Sequence, residues 1–141
     1  MNRIVLLVLI LVGCAATALA GTYNYVEPDQ FKEWLEKGKD MAIVDIQVPA
    51  DFQKHHFKGS VETNAFPVKT ADDRHKLDKV VPKLLATRND VVIICPRGGS
   101  GAKNTYDYLK ESGVGENRLF ILEDGMQEWP YKELTVGGKQ E

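Results

Sequence analysis

The chain has 141 residues, 43% of them hydrophobic, and its 18 Lys and Arg against 20 Asp and Glu give a formal net charge of −2. That length and apolar content suit one compact core, without repeats or low-complexity runs. The mild, scattered charge excludes a basic stripe for nucleic acid, and the lysines read as solvated faces.

In chain order, residues 1–20 read as a bacterial-type export signal rather than as part of the fold. Arg3 precedes an uncharged apolar run from Ile4 to Val12, and small residues lead to Ala18-Leu19-Ala20-Gly21, the pattern of signal peptidase cleavage. The apolar run is too short for a membrane span. A periplasmic or secreted protein is therefore expected, with one alternative. Leu11-Val12-Gly13-Cys14 resembles a lipobox, which would lipidate Cys14 and anchor the protein to a membrane. Cleavage after Ala20 removes Cys14 and leaves Cys95 as the sole thiol, so no internal disulfide can form. A lone thiol in an oxidising compartment is exposed to capping unless it has a use, which favours a functional Cys95.

Residues 21–135 carry the expected domain. Pro28-Asp29 opens a helix whose apolar face holds Phe31, Trp34 and Leu35, and Gly38 stops it. Met41–Val44 reads as a short strand. Asp72–Ala86 has helical content that Pro82 interrupts by starting a new turn. Val91–Ile94 is a strand covered on both faces, Ala102–Lys110 an amphipathic helix, and Leu119–Leu122 another strand after a break at Gly113–Glu116. Strands alternating with helices predict an α/β layer fold with a mostly parallel sheet. The tail beyond Pro130 looks frayed, with residues 136–141 outside the domain.

The chemistry concentrates where the buried strand runs into Cys95-Pro96-Arg97-Gly98-Gly99-Ser100-Gly101. Cys95 sits at the carboxyl end of a strand, where open α/β sheets place their ligands. A free cysteine there can simply be a small core hydrophobe. The six residues that follow include three glycines, a serine and an arginine, which suit an anion-binding nest better than a core. Turned-in amides and the start of the next helix favour an anionic, nucleophilic sulfur. Arg97 supplies a charge for an anionic substrate, unless it is a solvated loop residue. His55 and His56 are adjacent and His75 has no partner at ligand spacing, so no metal site is expected. Trp34 and Trp129 read as core anchors, Trp129 also as a candidate wall of the site, and Lys103 as a source of field at Cys95 or a solvated residue.

Three segments in order resemble the rhodanese, or thiosulfate sulfurtransferase, family over residues 26–132. They are Ile43-Val44-Asp45-Ile46-Gln47 with Ala50-Asp51-Phe52 and His56-Phe57-Lys58-Gly59-Ser60-Val61; the Cys95 loop; and Leu122-Glu123-Asp124-Gly125-Met126-Gln127-Glu128-Trp129-Pro130. The resemblance implies a three-layer α/β fold with a mostly parallel sheet of about five strands. It also implies a Cys95 persulfide, formed from thiosulfate or another sulfane donor and collected by cyanide, sulfite or a thiol. Pro96, Arg97, Gly98, Gly99, Ser100 and Gly101 would hold substrate and persulfide, with Asp45, His56 and Trp129 in support. No metal or organic cofactor is implied, a protein sulfur donor or acceptor is possible, and the protein is expected to be a monomer.

Three positions depart from the family pattern. Gln47 stands where arginine is usual, which removes an ion pair; Asp124 replaces a glycine; Ser100 occupies a position that is often arginine. Related cell-cycle phosphatases need a loop one residue longer, with arginine six positions after the cysteine, and that position is Gly101 here. The resemblance thus points to sulfur transfer over phosphate chemistry. A sulfur carrier or a non-catalytic rhodanese-like binding module are the alternatives.

Overall fold

A computed structural model describes residues 22–138. The export signal and Cys14 lie outside the described residues, and so do residues 139–141. The elements run β1 (Tyr25–Val26), α1 (Pro28–Glu36), β2 (Met41–Asp45), α2 (Pro49–Lys54), β3 (His56–Phe57), β4 (Val61–Glu62), α3 (Ala71–His75), α4 (Val81–Leu85), β5 (Asp90–Ile94), α5 (Ser100–Glu111), β6 (Leu119–Leu122) and β7 (Thr135–Val136). Pro28, Pro49 and Pro82 each lie in the first turn of a helix, where the missing N–H costs nothing. Thr70 and Asp73 form a reciprocal capping box on α3.

Five strands form one parallel sheet in the order β1-β6-β5-β2-β4. The register sets Val44 beside Ile93 and Val92 beside Phe120. Because side chains alternate across a strand, each central strand fills two cores. Val44, Val91, Ile93, Leu119 and Ile121 meet Ala102, Tyr106 and Leu109 of α5. Ile43, Val92, Ile94 and Leu122 meet Phe31 of α1, Phe57 and Trp129 on the other side. Helices thus cover both faces of a sheet whose central strands are mostly buried, which is why β2, β5 and β6 are apolar runs rather than alternating patterns.

Over residues 131–138 the structure corrects the expectation of a frayed tail. A short helical turn over Lys132–Leu134 leads into β7, which pairs antiparallel with β3, and the Gly138 N–H donates to the Gln53 carbonyl at 2.8 Å. The tail is ordered because β3 has backbone donors and acceptors that no strand of the main sheet reaches. Two further features add to the sequence reading: α2 follows β2 after three residues, and α5 starts at Ser100, two residues earlier than Ala102. Among the described residues no helix is long and apolar enough to cross a membrane.

Candidate active site

Cys95 is the first residue after β5, the middle strand of the sheet. The loops leaving the carboxyl ends of β2, β4, β5 and β6 converge there around a cavity of about 390 Å³. Val48 and Asp51 enter it after β2, Phe66 after β4, and Gln127 after β6; Cys95, Pro96, Arg97, Gly99, Ser100 and Gly101 complete it. A parallel sheet gathers every such loop on one edge, so residues distant in sequence meet around one sulfur.

The loop is bent so that the Gly98 amide faces the thiol. The Gly98 N–H donates to Cys95 Sγ at 2.8 Å, with Cys95 only 2% exposed. Gly98 reaches this geometry at φ +68°, and a Cβ on it would lie 2.9 Å from the Leu122 carbonyl oxygen. The carbonyls of Cys95 and Pro96 turn the other way and accept the N–H groups of Met126 and Gln127 at 2.9 and 3.0 Å. Gly99 is the N-cap of α5, and its carbonyl accepts from Lys103 at 3.1 Å. The amides of Ser100, Gly101 and Ala102 therefore form the first turn, where no carbonyl lies one turn back and the helix end is positive. Arg97 is exposed, and its Nε donates to Gln127 Oε1 at 3.2 Å, which ties the guanidinium to another residue of the cavity lining.

The segment Leu122–Trp129 is thus the clamp on the loop. Its departure at Asp124 is explained by the backbone: Asp124 has φ +62°, a left-handed conformation that glycine takes freely and aspartate tolerates better than most residues.

The departure at Gln47 is filled rather than left open. Asp45 is fully buried and accepts the Gln47 backbone N–H at 2.9 Å and the Gln47 Nε2 at 3.0 Å, while Nε2 also donates to the His55 carbonyl at 3.1 Å. The amide ties β2 to the end of α2, but it brings no positive charge. Burial pushes the Asp45 carboxyl from 3.8 up to about 6, against the lowering effect of the Gln47 donors and His56. The folded chain therefore holds the Asp45 proton more tightly than the unfolded chain. The resulting stabilisation is complete below about pH 4 and is lost as the pH rises through 6. Stability is expected to increase by about 1 kcal/mol from this group between pH 7 and pH 5. Urea unfolding of the protein and of Asp45→Asn at both pH values checks this; equal pH slopes would refute it.

The remaining residues named from the sequence are structural. His56 stacks on Phe52 at 4.1 Å, and its Nδ1 lies 2.8 Å from the Phe52 carbonyl. Trp129 is 3% exposed, packs edge-on against Phe31 and Phe57, and donates from Nε1 to the Tyr131 carbonyl; it is a core anchor and forms no wall of the cavity. Trp34 packs on Phe120 under the Lys39 ammonium, and Lys103 lies over the Tyr23 ring instead of at the sulfur. His75 faces Asp78, and no cluster of metal-ligating side chains occurs among the described residues. The sequence reading missed Val48, Asp51, Phe66 and Gln127 as cavity residues. Their signal was positional, since each follows a parallel strand.

Known structures share this fold. A yeast protein tyrosine phosphatase of the rhodanese family superposes with a TM-score of 0.67 at 18% identity, covering 84% of this chain and 95% of that one. An As-Sb reductase from Leishmania major gives 0.61 at 17% identity over 85% and 91%. A thiosulfate sulfurtransferase from Pseudomonas aeruginosa gives 0.60 at 18% identity, over 84% of this chain and 20% of that one. No curated protein sequence matches significantly. The family model described as "Rhodanese-like domain" matches residues 27–132, three quarters of the sequence and both halves of the site, and the chain belongs to that family.

Proposed function

We propose that this protein is a sulfurtransferase that carries sulfane sulfur on Cys95 from thiosulfate or a related donor to a thiophilic acceptor such as cyanide or a thiol. The Cys95 thiolate attacks the outer sulfur of the donor. The donor S–S bond breaks, a Cys95 persulfide forms, and sulfite leaves with the bonding pair. The acceptor then attacks the terminal sulfur and restores the thiolate, so neither step needs a redox partner or a proton. The observation that supports this is the Cys95 sulfur, accepting the Gly98 N–H at 2.8 Å, in a cavity it shares with the first turn of α5. Amides so placed stabilise a charged sulfur without reorganising. We further propose that the protein works outside the cytoplasm, on the strength of residues 1–20.

The fold also serves phosphate chemistry, and the yeast neighbour is described as a phosphatase. Here the loop offers one guanidinium, Arg97, already bonded to Gln127. A Cβ at Gly101 would lie 3.0 and 3.1 Å from the Phe66 ring and 3.3 Å from Ile46 Cδ1. The space for a phosphate-clamping arginine at that position is filled by Phe66, which favours sulfur over phosphoryl transfer.

Intact-mass spectrometry of the purified protein before and after thiosulfate tests the proposal. The expected gain is about one sulfur atom, roughly 32 Da, mapped to Cys95 and removed by cyanide. A gain seen only with a persulfidated protein donor would make the chain a sulfur carrier. No gain with any sulfane donor would reduce it to a binding module.

A further inference from the structure

The cavity over Cys95 is larger and more apolar than thiosulfate requires. At about 390 Å³ it falls within the range of sites for organic ligands. Phe66 and Val48 are 37% and 36% exposed, yet both contribute to the cavity, where Pro96 continues the same surface. Large apolar side chains left in solvent and converging on one mouth mark a ligand-facing patch. The Phe66 ring is held in place: its backbone N–H donates to the Ile46 carbonyl at 2.9 Å, and its ring edge lies against Gly101.

Charge points the same way. The lining carries one cation, Arg97, and one carboxylate, Asp51, and these formally cancel. A dianion such as thiosulfate finds no net charge on the lining side chains and has only the amides of the first α5 turn to hold its second charge, whereas a monoanion with an apolar body matches both the guanidinium and the Phe66 side.

Resting on the sulfur-transfer reading above, we propose that the preferred donor is an organic sulfane compound, an apolar group bearing an anionic terminal sulfur, with Phe66 and Val48 as specificity-determining residues. With an organic thiosulfonate the Cys95 thiolate attacks the terminal sulfur, the donor S–S bond breaks, and an organic sulfinate leaves with the bonding pair. One negative charge stays on the persulfide and one on the sulfinate, so atoms and charge balance.

The test measures kcat/KM for sulfur transfer to cyanide with thiosulfate, methanethiosulfonate and benzenethiosulfonate. The two thiosulfonates share charge and reacting group, and comparing their ratio between variants cancels intrinsic reactivity. In Phe66→Ala the benzene-to-methane ratio is expected to fall about tenfold, and in Val48→Ala about threefold, as apolar contact is lost. Asp51→Asn is expected to raise thiosulfate relative to methanethiosulfonate about threefold, because a dianion gains more than a monoanion. An unchanged benzene-to-methane ratio in both apolar variants overturns the inference while sulfur transfer stands; so does a wild-type kcat/KM for thiosulfate above that for benzenethiosulfonate. Should Phe66→Ala fail to fold, Val48→Ala and Phe66→Leu decide it, the leucine variant being expected to stay within about threefold of the wild-type ratio. Failure of all three donors with the wild-type protein overturns the sulfur-transfer reading itself, and this inference with it.

Discussion

Cys95→Ser is expected to lower kcat/KM for sulfur transfer from thiosulfate to cyanide by at least about 10³-fold, with a stability change of no more than about 1 kcal/mol. The two expectations come from the same atom. A serine Oγ has nearly the shape of Sγ and can accept the Gly98 N–H that Cys95 accepts at 2.8 Å, so the buried donor keeps its partner. Its hydroxyl stays protonated at neutral pH, and oxygen forms no persulfide. Alanine at the same position would leave the Gly98 N–H without an acceptor and mix two effects. Measured rates with the serine variant alongside its urea midpoint separate chemistry from folding. Residual transfer above about one hundredth of wild type would mean that the sulfur passes through another group.

The parts of this site that sequence reveals are those whose chemistry is local. Cys95 and the glycines after it lie within a few residues, and strand, turn and helix start follow from hydrophobic runs and glycine placement. The five-stranded parallel sheet follows from strands alternating with helices. What did not follow is set by contacts between distant segments. Phe66 reaches the cavity only because β4 lies beside β2, on the far side of it from β5, and Gln127 only because β6 pairs with β5. β7 consists of two residues, and its partner β3 lies far back in the chain, so no periodicity could announce it. Trp129 reads as a core anchor with a cavity wall as its second reading, and the packing against Phe31 and Phe57 decides for core.

Gln47 shows how a departure can be read correctly in one respect and incompletely in another. Losing the usual arginine does remove the ion pair, since among the described residues Asp45 has no ion-pair partner. The brace itself survives, because an amide long enough to reach both Asp45 and the His55 carbonyl keeps β2 tied to α2. What changes is electrostatic: a buried carboxyl held by neutral donors has a raised pKa, where an arginine would have lowered it.

Gly125→Ala is expected to have the largest effect on folding of any single methyl addition in the site. Gly125 adopts φ +68°, and a Cβ there would overlap the Cys95 carbonyl oxygen and lie 2.5 Å from the Arg97 nitrogen and 2.6 Å from the Pro96 carbonyl carbon. All three atoms are backbone, so no rotamer change relieves the clash. Either the Leu122–Trp129 segment or the Cys95 loop must move, and the Met126 and Gln127 hydrogen bonds to the loop carbonyls would break with it. A cost of about 3 kcal/mol or more is expected, with kcat/KM down about 100-fold in whatever fraction remains folded. Gly59→Ala is the matched control. Gly59 has φ +80° but nothing within 4 Å of its missing Cβ, so it reports the backbone conformation alone, expected at about 1 kcal/mol. The difference between the two urea midpoints isolates the close approach of the clamp to the loop. Equal costs, or normal sulfur transfer by Gly125→Ala, would show that the two segments can separate without disturbing the sulfur, and the clamp would lose its place in positioning Cys95.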